Sequence, residues 1–220
     1  MTSTLFVEEI KGRTTGTNAN KVIVPSGQTL EVSSTLTVPT VTGNPSFTGG
    51  LKVNTVQDTT GTTAMTLDST GRILTPSRPM FDVGKNAGQA LSSGSITKVT
   101  WQTEAYDIGN NFASDKFTAP IAGKYFMSVY LTFQTMAAGS GIGLIWYKNG
   151  SVFRQAHHQS TEINISFGMH NATVFDLAAD DYIEVYAFQG SGSTKEIGQG
   201  NNQGSGTNAN SNYWTGHLIG

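Results

Sequence analysis

The segment Phe117–Phe133, FTAPIAGKYFMSVYLTF, constrains this chain more than any other stretch. It opens on a Pro-Gly turn at Pro120 to Gly123 and runs into the longest alternating pattern in the sequence. Side chains alternate faces along a strand, so Tyr125, Met127, Val129, Leu131 and Phe133 share one side. All five are large and apolar, which predicts a core-facing side. The opposite side carries Phe126, Ser128, Tyr130 and Thr132, and its two aromatic residues are more apolar than a water-facing side requires. A strand with two apolar faces is covered twice, and the second cover is expected to be another copy of the chain.

Composition supports an all-β chain. Of 220 residues, 26 are glycine, 13% are charged and 10% are aromatic, a mix that suits short strands and tight turns. Thirteen Lys and Arg against fifteen Asp and Glu leave no basic excess to neutralise phosphates, so no nucleic-acid partner is expected. Without cysteine there is neither a disulfide framework nor a thiolate metal site. No apolar run reaches membrane-spanning length, and MTSTLFVEEIKGR has no signal-peptide core, which predicts synthesis and assembly in a cytoplasm without membrane insertion.

Residues 1–77 differ from the remainder. Apolar pairs two residues apart recur at Leu5/Val7, Val22/Val24, Leu30/Val32, Leu36/Val38, Leu51/Val53 and Met65/Leu67, separated by Thr, Ser, Gly, Asn and Pro. Each reads as a strand too short to bury a core by itself. Several copies around one axis would bring these pairs together, which predicts a β-rich stem or docking arm; a flexible Thr/Gly-rich linker is the alternative. Pro76 and Pro79 break the ladder and mark the boundary to a second domain, 78–220. There, strands are predicted near 79–84, 96–101, 104–107, 115–119, 124–133, 142–148, 151–157, 165–177, 182–189 and 213–219, spaced as in a sandwich or jelly roll. Asn149-Gly150 carries the signal of a two-residue hairpin turn.

Several ordered blocks carry a resemblance. Arg78-Pro79-Met80-Phe81, the run from Val99 through Leu131, YKNG at 147–150, VFDLAADDYIEVYAFQGSG at 174–192 and the terminal NYWTGHLIG resemble the globular head of complement C-one-q and its tumour-necrosis-factor-like relatives. Phe117 to Tyr125 matches the family's Phe-Thr-Ala-Pro-x-x-Gly-x-Tyr block, and Tyr213, Gly216, Leu218 and Gly220 match its closing strand. Ala179-Asp180-Asp181 departs from the family's usual Gly-Asp, so the turn loses its glycine. The resemblance implies a ten-stranded jelly roll packed as a homotrimer. The trimer interface is then expected at Phe126, Tyr130, His170, Tyr213 and His217. The N-terminal part lacks the Gly-x-y period of collagen; its short Leu-x-Val strands resemble the shafts and arms of tailed-bacteriophage virion proteins.

Motifs for chemistry are missing. The sequence holds no phosphate-binding glycine loop, no Gly-x-Ser-x-Gly and no His-Glu-x-x-His, and no enzymatic activity is expected. Adjacent His157 and His158 point to opposite faces of a strand, so they cannot chelate one metal from regular structure. Asp180 and Asp181 offer carboxylates for calcium, but two adjacent acids at a hairpin are more often ordinary turn residues, and no cofactor is expected.

What remains is surface. If successive strands run antiparallel, loops 85–95, 134–141, 156–165 and 190–212 gather at the end away from the stem. The last is nearly all Gly, Ser, Asn and Gln, either a solvated tether or a contact site. Candidate distal-loop binding residues are His157, His158, Lys195, Asn201, Asn202 and Gln203. The expected function is a non-enzymatic trimeric protein on the surface of a phage virion, either a capsid decoration (cement) protein or a short fibre. Its partners would be coat, tail or fibre protein through 1–77, and a host-surface glycan or protein through the distal loops. The alternative is a secreted or cell-surface trimeric adhesion or lectin-like module.

Overall fold

A computed structural model describes residues 53–159, 165–198 and 212–220. All of them fall in one compact unit, Lys52–Gly220. The short apolar pairs before Val53, and the candidates Asn201, Asn202 and Gln203, lie outside the described residues.

The described part begins with a three-stranded antiparallel meander: β1 (Thr55–Gln57), β2 (Thr63–Leu67) and β3 (Ile73–Leu74). Its two turns are copies of one device. Asp58 accepts hydrogen bonds from the amides of Thr60 and Thr62 and from the Thr60 hydroxyl. Asp68 does the same for Thr70 and Arg72. Gly61 and Gly71 close the turns with φ of 89° and 82°, backbone that L-residues rarely adopt. These bonds hold both carboxyls below the ordinary carboxylate range, chiefly through the Thr60 hydroxyl for Asp58 and the Arg72 amide for Asp68. Val56 lies opposite Met65 and Leu67 opposite Ile73, so all four apolar side chains share one face. None of them is buried, and Ile73 is 63% exposed.

Past Pro79 the chain forms a sandwich of antiparallel strands, a jelly roll with no helix among the described residues. One sheet holds β4 (Met80–Gly84), β5 (Gln89–Leu91), β7 (Thr103–Ile108), β10 (Gly123–Met136), β13 (Ile165–Leu177), β15 (Lys195–Ile197) and β16 (Tyr213–Leu218). The other holds β6 (Ile96–Lys98), β8 (Phe112–Ala113), β9 (Lys116–Thr118), β11 (Gly141–Lys148), β12 (Ser151–Gln159) and β14 (Tyr182–Gln189). All ten predicted strands are present; β5, β8 and β15, of two or three residues, are additional.

The alternation in β10 is realised as read: Tyr125, Met127, Val129, Leu131 and Phe133 are all fully buried. They meet Trp146, Leu144 and Ile142 of β11, Ile183 and Val185 of β14, and Trp214 of β16. The chain's three tryptophans cluster there, with Trp214 5.9 Å from Trp101 and 5.8 Å from Trp146 between ring centres. Asn149 and Gly150 have φ of 51° and 76°, the positive pair that a type I′ hairpin turn demands.

The registers order the loops. Tyr213 pairs with Tyr130 and Gly84, while Leu218 pairs with Tyr125 and His217 with Met80. The start of β4 therefore lies at the opposite end from the start of β16. Ile197 pairs with Phe133 and Gln89, and Gln159 pairs with Gly141. The described parts of 85–95, 134–141, 156–159 and 190–198 thus share the end far from the start of β4, as the parity argument required.

Candidate interaction face of the larger sheet

The even side of β10 meets the outer faces of its neighbours through register alone. Phe126 lies opposite Val174 of β13 and His217 of β16; Ser128 opposite Ala172 and Thr215; Tyr130 opposite His170 and Tyr213. The five residues expected at an interface, Phe126, Tyr130, His170, Tyr213 and His217, therefore stand on one face. They come from three strands and from positions up to 91 residues apart, taken as 217 minus 126.

Rings organise this face. Phe126 and His217 lie 5.7 Å apart, and Tyr130 stacks on Tyr213 at 6.1 Å with 15° between ring planes. The Ser128 hydroxyl and His170 Nε2 form a 2.8 Å hydrogen bond beside them. Ser128 and Thr132 are themselves buried, Thr132 by its amide and hydroxyl reaching the Asn212 side-chain oxygen, so between Lys124 and Gln134 the even positions of β10 that face outward are the aromatic Phe126 and Tyr130. Further out, Met80 lies opposite Ile108 and Asp82 opposite Tyr106. Val174 and Tyr106 are 45% and 44% exposed, so apolar area extends across the sheet. Burial raises the Asp82 carboxyl above its ordinary value, and a hydrogen bond from Thr215 opposes that only partly.

The distal candidates are placed differently from expectation. His157 and His158 are not in a loop: β12 continues to Gln159, where both residues still pair, with Gly143 and Ile142. They do point to opposite faces, His157 towards Phe188 and His158 towards Phe167. Lys195 likewise belongs to a strand, since β15 pairs with β5 and leaves less loop in 190–212 than its composition suggested. Gly, Ser and Asn concealed that strand because only pairing across the chain, not a local apolar pattern, defines it.

At the near end, Asp181 is already engaged. Its carboxylate accepts from Lys148 at 2.8 Å, from Asn149 at 2.6 Å and from the Ala178 amide at 2.8 Å, with Lys148 chief among the causes that hold it at about 2. A calcium ion there would have to displace a lysine ammonium. Among the described residues no group of three His, Asp or Glu side chains could hold a metal ion.

The residue that sequence reading missed is Lys85. It is fully buried, with its ammonium donating to the Thr100 carbonyl at 2.9 Å and its stem packed under Gly198. Burial, partly offset by Asp115, lowers it to about 8. A lysine within a polar stretch after β4 carries no signal of burial; the signal is the Lys85–Asn212 backbone pairing that folds the chain over it.

These strands and this face define an all-β jelly-roll sandwich with one sheet whose outer surface is aromatic. No family model and no curated protein matches the chain. Among solved structures it is similar to the globular domain of zebrafish complement 1qA (15% identity, 65% of this chain, 98% of that one, TM-score 0.45). It is also similar to murine APRIL (12%, 64% and 99%, TM-score 0.46) and to the Eiger TNF of S. frugiperda (12%, 65% and 92%, TM-score 0.43).

Proposed function

We propose that the chain is a non-enzymatic homotrimeric structural protein of a tailed-phage virion surface, acting as a capsid decoration protein or short fibre and assembled in the host cytoplasm. The sandwich trimerises through the outer face of the larger sheet, and the N-terminal segment docks it to coat, tail or fibre protein.

The observation that carries the reading is the composition of that face. Phe126, Tyr130, Tyr213, His217, Val174 and Met80 lie on it although the core between the sheets is already complete without them. A monomer would leave this apolar area in water. The meander repeats the argument on a small scale, because Val56, Met65, Leu67 and Ile73 form an apolar face that its own three strands cannot cover. Three-fold stoichiometry is what the sequence resemblance implies.

Sedimentation of the purified chain tests the trimer; a monomer at micromolar concentration overturns it. Binding to host cells and to empty shells of coat protein, side by side, tests the role. Shell binding lost on deleting 1–77 supports decoration. Saturable binding to cells supports a fibre whose distal loops meet a host glycan or protein. Binding to neither overturns the virion assignment.

A further inference from the structure

Charge pairing within the described residues leaves several carboxylates without a cation, and two of them lie together. Lys98 pairs with Glu184, Lys124 with Asp176, Lys148 with Asp181 and Arg72 with Asp68, while Lys116 lies over the Tyr182 ring. Asp82 and Glu104 have no such cation among the described residues, yet they line a cavity of about 540 Å³ between β4 and β7. Thr103, Tyr106 and Tyr213 line it too, two of them aromatic. Half-burying a carboxylate without a cation is costly, as the raised Asp82 shows. The cavity's shape has a backbone cause: β7 bulges opposite Asp82 and Val83, so Glu104 and Tyr106 splay around the acid.

A complementary surface exists on the same chain. Arg154 stands in β12, the edge strand of the smaller sheet, flanked by Val152 and Phe153 at 53% and 43% exposure. Its guanidinium donates to Thr173 of β13, the edge strand of the larger sheet, and so bridges the side of the sandwich. It has no carboxylate partner among the described residues. Arg78 and Lys195 share that state, but neither is flanked in sequence by exposed apolar side chains. Arginine beside aromatic and aliphatic anchors is the composition of an interface hot spot. Carboxylates beside tyrosine rings are what a guanidinium prefers, through charge-assisted hydrogen bonds and ring stacking.

Resting on the trimer proposed above, we infer that Arg154 of one copy enters the Asp82–Glu104 cavity of the next, with Val152 and Phe153 against Tyr106. This contact uses two different patches of each chain, the β12/β13 edge and the β4/β7 face. It is therefore head-to-tail, and three such contacts close a ring.

Two experiments test it on the full chain. In sedimentation, Arg154→Glu and Glu104→Arg each raise the dissociation constant of the trimer at least about tenfold, and the double exchange restores it to within about threefold, as expected for a desolvated charge pair. Circular dichroism of each variant confirms retained strands. Because the chain has no cysteine, Glu104→Cys with Arg154→Cys can also be cross-linked by a short bis-maleimide. Covalent trimers support the ring, whereas uncross-linked chains or dimers alone overturn it. A wild-type trimer that Arg154→Glu leaves unchanged, or a double exchange that fails to restore assembly, overturns this contact and spares the trimer. A monomeric wild type overturns both.

Discussion

The Tyr130 hydroxyl lies 1.8 Å from the place a Cβ on Gly168 would occupy, and the ring atoms beside it lie 2.5 and 2.9 Å away. Gly168 is thus the notch in β13 that lets Tyr130 lie flat and stack on Tyr213. Because Tyr130 sits on the outer face, it can swing away when the notch is filled. Gly168→Ala should therefore cost less than about 1 kcal/mol in monomer stability, since only the far end of a side chain must move. It should weaken self-association, because Tyr130 then leaves the plane of the face. Denaturant melts and sedimentation on the same variant separate the two effects; a destabilised fold with unchanged assembly would contradict this account.

The aromatic face makes an opposite prediction about two substitutions. Phe126→Asp or Tyr130→Asp places a charge where the second cover is expected, so monomeric or aggregated protein should result. Gln203→Ala should leave the mass unchanged. A soluble, stable Phe126→Asp trimer, seen by light scattering, would remove β10 from the interface.

Buried Lys85 sets a pH dependence. Its folded value, about 8, is below the ordinary lysine value of 10.5, so the unfolded chain holds more protons between those limits. Stability should then rise with pH from about 8 towards 10, and the full penalty of burying the charge applies below 8. Above 10, Tyr125, raised by burial, works in the other direction. Lys85→Met keeps the stem under Gly198 and removes the charge; Thr100 is exposed, so water can serve its carbonyl. The variant should be more stable at pH 7, by up to about 3 kcal/mol from the size of the shift, and should lose the rise. Urea melts at pH 7 and 9.5 check both.

Asp180 sits at φ 68° in the turn before β14. Its side chain is exposed, and the strain of a left-handed residue is relieved by glycine. Asp180→Gly should raise stability by a few tenths to about 1 kcal/mol. Asp181→Ala, which removes the acceptor for Lys148, Asn149 and Ala178, should destabilise near neutral pH, and that difference should vanish as pH falls below about 4 towards 2, where the wild-type carboxyl is protonated. Thermal melts across that range show the outcome.

The sequence by itself determined where ten of the sandwich strands run and, for the strand at Tyr125–Phe133, which side faces inward. Period-two alternation in Tyr125 to Phe133 and the Asn149-Gly150 turn are local signals, and local sterics and burial are enough to read them. Tertiary structure decided what depends on pairing between distant segments. Register brought His217 beside Phe126 and His170 beside Tyr130, made a strand of Lys195–Ile197, extended β12 past both histidines, and buried Lys85 under Gly198. It also opened the cavity at Asp82 and Glu104, since a bulge in β7 exists only relative to β4. A one-residue shift in any of these ladders would turn each side chain to the other face, so side-chain neighbourhoods follow from register, which no single stretch of sequence contains.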